Sequence, residues 1–351
     1  MLSPVTHYLP LTAIRRVRLL PFPGRVVARK GQKVNPNDVV AEAKLAPEHL
    51  LLEVARGLGM PARRADRYIQ RKAGDEVAEG DVIAGPVGLA RRVVRAPKNG
   101  RVVVAGNGQV LLEVDSRPYE LKAGVPGVVT ELFPDRGVEI EANGSLIQGV
   151  WGNGLIDFGL LGVLSRSPQD VLTTDRLDVS HRGMVILGGH CEDSQVLNAA
   201  GEIPLRGLVL ASIDSSLAQA AGKARYPILV IEGFGKIPMN PAAYKLLTTS
   251  ERREVTVNAE AWDPYANTRP EMIIPLPAQG TLPLPPETDT FAPGQKVRVI
   301  GVPGQSILGT LASLRPGLAL LQSGVRAPAA DILLENGENG VYPLANLEVL
   351  E

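Results

Sequence analysis

Two near copies of one phrase constrain the fold of this chain more than anything else in it. Gly31-Gln-Lys-Val-Asn-Pro-Asn-Asp-Val-Val-Ala41 and Gly74-Asp-Glu-Val-Ala-Glu-Gly-Asp-Val-Ile-Ala84 both run through Gly, two polar residues, Val, a three-residue turn, Asp, two β-branched residues and Ala. Each follows a basic pair, Arg29-Lys30 or Arg71-Lys72. Turn formers between short β-branched runs predict a tight hairpin, entered at the Gly and left through the Val/Ile pair toward a core.

The rest of the composition agrees with a chain of short strands. Gly (37) and Pro (29) favour turns over long helical bundles, and aromatics at 4% leave the cores to Val, Leu, Ile and Ala. A length of 351 residues predicts two or three domains. Net charge is zero but uneven, +8 over residues 1–120 and −8 over 121–351, which would let copies attract head to tail or the front half face an acidic partner. The single cysteine excludes a disulfide framework and fits a reducing compartment. No stretch has the ~20 apolar residues of a membrane span, and the first residues lack a signal-peptide layout. A cytoplasmic protein without a membrane partner is the expectation.

Residues 1–160 are expected to form a β domain with a helical insert at 47–70, where Leu50, Leu51, Val54 and Leu58 recur at helical spacing. Arg95-Ala-Pro-Lys-Asn-Gly100 and Lys122-Ala-Gly-Val-Pro-Gly127 each place turn residues ahead of a β-branched run, predicting two further strands. Together with the paired phrases they resemble a barrel-sandwich hybrid, the flattened β-fold of lipoyl and biotinyl carrier domains. Such a carrier holds its group on a lysine at a hairpin tip. The nearest one, Lys44, precedes that position and lacks the usual flanks, so a rigid scaffold with no attached cofactor is expected.

Residues 161–262 change pattern. Apolar strands at 183–189, 207–211 and 227–231 alternate with helices opening at Asp193 or Ser194 and at Ser215, which predicts a parallel sheet covered on both faces. A further helix follows at Pro241, and 254–258 reads as an edge strand. Gly188-Gly-His-Cys-Glu-Asp, the helix after it and Ile-Pro-Leu-Arg-Gly-Leu-Val-Leu resemble the swivelling β/α domain of phosphoenolpyruvate-utilising enzymes, although Asp193 stands where that family has its phosphoryl-carrying histidine.

Ligands of open α/β sheets bind beyond the carboxyl ends of the strands. His190, Cys191, Glu192 and Asp193 occupy that place after one strand and Glu232 after another, which makes them the candidate catalytic residues. Gly188, Gly189, Gly233, Phe234 and Gly235 are the candidate ligand-binding residues beside them. One His and one Cys do not make a metal-ligand spacing, so neither a metal nor a cofactor is expected.

Eight prolines between 264 and 293 predict an extended linker over 263–292. Beyond it, Pro293-Gly-Gln-Lys-Val-Arg-Val-Ile-Gly301, a Gly-rich turn and Gly309-Thr-Leu are similar to the KOW motif of SH3-like barrels such as the C-terminal domain of NusG-type factors. A barrel over 293–351 is expected, with strands at 319–322, 330–335 and 340–343. The resemblance implies work in transcription or ribosome complexes. However, four Lys/Arg against seven Asp/Glu from 281 onward disfavour direct contact of this domain with nucleic acid.

The three expected bodies therefore point to a non-catalytic scaffold acting through a protein partner or self-association. A transcription or translation accessory factor contacting nucleic acid or its machinery through the basic first 120 residues is one alternative; there, two short helices around Gly59-Met-Pro61 would mimic a helix-turn-helix, with Arg63, Arg64 and Arg67 suited to phosphates. An enzyme or small-ligand-binding subunit using the 188–194 and 232–235 loops is the other.

Overall fold

Each repeated phrase forms its turn, but its two arms do not pair as the expected hairpin: Lys33–Val34 joins the 12-stranded sheet while Val39–Ala43 lies in a separate three-stranded one, and Glu76–Val77 and Val82–Val87 likewise belong to different sheets. The computed structural model describes residues 2–114, 118–263, 268–278, 280, 282–302, 305–335 and 337–351. Gly31 and Gly74 have φ of +79° and +94°, the left-handed region that glycine enters without steric cost. Their amides donate to Val129 O (2.8 Å) and Val102 O (2.7 Å). At the far turn the carboxylates of Asp38 and Asp81 accept from the amides three residues back, Asn35 N (2.7 Å) and Ala78 N (3.2 Å). Val34 then pairs with Gly127, and Val77 with Gly100. The partner strand of the second copy, Gly100–Gly106, comes after the intervening strands Val82–Val87 and Arg92–Arg95, whereas that of the first begins only at Gly127. One turn module is thus nested in sequence inside the other.

The chain divides into two compact units, residues 1–19, 26–40 and 122–351, and residues 20–25 and 41–121. In the smaller, Glu48–Leu52, Gln109–Val114, Gly100–Gly106 and Glu76–Val77 form one sheet in that order, over a core that includes Ile83, Val110 and Leu112. The helical insert expected at 47–70 is only partly helical. Glu48–Leu52 is a strand antiparallel to Gln109–Val114, and only Val54–Leu58 and Ala62–Ala65 are α-helical. Leu50 and Leu52 turn inward while Leu51 is exposed, a period of two that overrides the helical spacing read from the sequence. Helices of four and five residues are also too short to lie along a nucleic-acid groove as a helix-turn-helix does.

In the larger unit a 12-stranded sheet carries four parallel strands, Ile156–Val163, Met184–Leu187, Gly207–Ile213 and Ile228–Phe234. Successive residues bury into opposite faces. Val185, Val209, Leu229 and Ile231 join one core with Ala243 and Leu247 of the helix Pro241–Thr248. Ile186, Leu208, Leu210, Ile228 and Val230 join another with Val196 and Leu197 of Ser194–Glu202. Strands apolar on both faces require cover on both, and the two helices supply part of it.

Three sequence expectations change here. The boundary placed near residue 160 falls inside Ile156–Val163, which shares its sheet with Gly137–Gln148. Glu254–Asn258 is an interior strand, between Ile156–Val163 and Glu271–Pro275. The linker over 263–292 contains Glu271–Pro275, which pairs on both sides and is buried up to its exposed terminal proline. Prolines bracket this strand at 270 and 275 and leave its interior amides free to bond. Residues 264–267, 279 and 281 of the expected linker lie outside the described residues.

A second, seven-stranded sheet holds the C-terminal strands Lys296–Val302, Gln305–Leu314, Ala329–Leu334, Asn339–Pro343 and Leu347–Leu350, together with Thr288–Thr290 and the N-terminal strand Leu2–Thr6. Leu2–Thr6 runs parallel to Leu347–Leu350, so the ends of the chain are joined in one sheet. Positions 303 and 304 of the expected Gly-rich turn lie outside the described residues. Among the described residues no helix is long and apolar enough to cross a membrane.

Candidate functional site

The strand-end loops come together only in part. His190–Cys191 forms a short strand that pairs with Ser212 and Ile213, and those two residues pair in turn with Gly233 and Phe234. One strand therefore separates the 188–191 loop from the 233–235 loop. Gly188 and Gly189 owe their lack of a side chain to packing. A Cβ on Gly189 would lie 1.9 Å from Asp170 O, and one on Gly188 would lie 2.7 Å from a Leu172 methyl. Phe234 meets Trp151 edge-on, with ring centroids 6.0 Å apart.

His190 is buried, and its Nδ1 lies 2.9 Å from Ser212 Oγ. That hydroxyl donates to Ile237 O (2.8 Å) and accepts from Ile237 N (3.1 Å), so its one proton is spent and Nδ1 is the donor of the pair. Burial pushes the imidazole below its ordinary pKa, against the Glu192 carboxylate 3.9 Å from Nε2. Cys191 is fully buried, which raises its thiol to about 11. Asp193 caps the helix Ser194–Glu202 by accepting from Gln195 N at 2.8 Å. Among the described residues no three His, Cys, Asp or Glu side chains are grouped to hold a metal ion.

Glu232 belongs to a different constellation. The strand Ile228–Phe234 carries one extra residue against its neighbour between Val230 and Gly233. Such a bulge lets consecutive side chains face one way, and Ile231 and Glu232 both do so toward the helix at Pro241. Glu232 Oε1 accepts from Asn240 N (2.8 Å), and Oε2 contacts Arg298 Nη2 at 2.5 Å. The same guanidinium donates to Tyr8 OH (2.6 Å) and lies 3.3 Å from Glu348, which also binds Arg269 and Thr6.

Burial raises the Glu232 carboxyl above the ordinary carboxylate range despite Arg298. Glu348 is buried as deeply, but the guanidiniums of Arg269 and Arg298 hold its carboxyl below that range. A buried ion network of this kind fixes geometry between elements, and it presents no acid or base to a substrate. Nothing along the chain signals it. Arg298 sits between Val297 and Val299, an alternation that reads as a solvent-facing residue on a half-buried strand.

Compared with known protein families and with characterised proteins, the sequence matches none.

Proposed function

We propose that this protein acts by binding a protein partner, with no chemistry at the strand-end loops. The observation that carries the partner is an apolar hairpin in the C-terminal sequence. Ala319–Leu320 pairs with Arg326–Ala327, and Leu318, Leu320 and Val325 are 63%, 65% and 57% exposed. Three large apolar side chains on so short a hairpin have little reason to face water unless another surface covers them. The non-catalytic half of the reading is supported by the commitment of the candidate groups to internal bonds: His190 to Ser212, Asp193 to a helix cap and Glu232 to Arg298.

The same reading takes the two repeated turns as parts of barrel-sandwich modules, the parallel strands as a swivelling β/α body and the C-terminal strands as a KOW barrel. All three serve here as rigid supports. Cytoplasmic residence goes with it.

The test is retrieval of partners from native lysate by tagged wild-type protein and by Leu320→Asp, with sedimentation of both to detect self-association. Wild type should hold a protein, or a second copy of itself, that the variant releases. Identical partners and identical mass for the two forms would remove the hairpin as the contact.

A further inference from the structure

The larger unit contains a cleft of ≈ 690 Å³ that the hairpin reading does not use. Its volume falls within the roughly 300–1,000 Å³ of small-molecule sites. One wall is the strand Tyr8–Leu19, where Arg16 and Arg18, two residues apart, face the same side.

Both guanidiniums meet a carboxylate through two nitrogens. Arg16 Nε lies 2.9 Å from Glu271 Oε1, and Nη2 lies 2.5 Å from Oε2. Arg18 Nη2 lies 2.7 Å from Glu260 Oε1, and its Nη1 contacts Oε2. Beside them Arg269 lies over the Trp262 ring, 5.4 Å from its centroid.

These paired charges select against most charged ligands. A net anion would have to approach guanidiniums already fronted by Glu260 and Glu271, and a net cation would meet the reverse. Either would desolvate a charge without an unshared partner. A molecule that carries both a carboxylate and an ammonium avoids that cost, because its dipole can lie antiparallel to an ion pair and give each of its charges a counter-charge.

The cleft also offers apolar surface. Trp262 and Leu284 line it while 51% and 46% exposed. The Gln148 side-chain carbonyl accepts from His7 N (3.1 Å), which leaves the amide nitrogen as the end of that side chain able to donate to a ligand carboxylate.

We propose that this cleft binds a zwitterionic small molecule, an amino acid or dipeptide with a large apolar side chain. Its carboxylate lies toward Arg16, Arg18 and Gln148, its ammonium toward Glu260 and Glu271, and its side chain against Trp262 and Leu284.

The chain has two tryptophans, so Trp151→Phe leaves Trp262 as the only indole reporter. In that background, titration with leucine and with leucyl-leucine should give a saturable fluorescence change. N-acetyl-leucine, which lacks the ammonium, and leucinamide, which lacks the carboxylate, should bind at least about tenfold more weakly, a difference of about 1.4 kcal/mol. The paired change Arg16→Gln with Glu271→Gln should weaken the response. So should Leu284→Ser on the exposed rim, which leaves both ion pairs intact and serves even where the double variant does not fold. Equal binding of the blocked compounds, an undiminished response in Leu284→Ser, or no saturable response to either zwitterion would each overturn the proposal.

Discussion

His7 shows how one residue sets the acid limit of a fold. Its ring is 3% exposed, and Nε2 donates to Pro286 O at 2.9 Å. Nδ1 has no hydrogen-bond partner, although the half-exposed Glu351 carboxylate lies 3.4 Å away. Burial outweighs the Pro286 hydrogen bond and, with Arg269 and Arg16 nearby, pushes the imidazole down to about 4. The unfolded chain therefore takes up a proton near pH 6.5 that the folded chain refuses until about pH 4. The contribution is complete above pH 6.5 and fades as pH falls toward 4, by at most about 3 kcal/mol. Glu348 adds to this at lower pH, since a carboxylate held below its ordinary range stabilises the fold until it is protonated. Urea unfolding at a series of pH values should show stability falling from pH 6.5 to 4 in wild type and a flatter profile in His7→Gln. Parallel profiles would show that His7 is protonated alike in both states.

At the scale of elements, the nested turns explain their glycines in two different ways. Gly31 is needed for its backbone, since φ is +79° while a Cβ there would meet nothing within 4 Å, and Gly31→Ala should cost about 1–2 kcal/mol. Gly127 is needed for space. A Cβ there would lie 2.3 Å from Glu141 O and 2.9 Å from an Ile140 methyl, as one at Gly100 would lie 2.3 Å from Glu113 O. Backbone cannot yield as a side chain can, so Gly127→Ala should cost about 1–3 kcal/mol or more. Chemical denaturation of the two variants should rank Gly127→Ala as the more damaging. The reverse order would mean that the paired strands separate easily. Although the sheets that their arms join were decided elsewhere in the chain, the turns were legible in the sequence because turn chemistry is local. The helix expected across 47–70 was not, since the pairing of Glu48–Leu52 with a strand some 60 residues later decides its conformation.

For the molecule as a whole, the closure of the two ends in one sheet matters most. Leu2–Thr6 lies between Thr288–Thr290 and Leu347–Leu350, Val5 enters the core of the C-terminal strands, and Thr6 reaches the Arg269–Glu348 pair. Deleting residues 1–6 should expose the edge of Leu347–Leu350 and leave part of the ion network unsatisfied. Amide hydrogen exchange should then rise across Lys296–Val302 and Leu347–Leu350 while the parallel strands stay protected. Unchanged protection of both strands would mean that the C-terminal sheet stands without its N-terminal member.

The sequence alone determined what depends on neighbours along the chain: the turn chemistry of both repeated phrases, the doubly apolar strands of the parallel segment, and the helix starts at Asp193 and Pro241. Tertiary structure decided what depends on partners far away. The strand at 271–275 inside a proline-rich stretch, the bulge that turns Glu232 toward Arg298, and the opposed charges at Arg16–Glu271 and Arg18–Glu260 each join residues more than 60 positions apart. No local pattern records such a pairing, because a charged residue beside valines has the same spacing whether it meets water or a buried counter-charge.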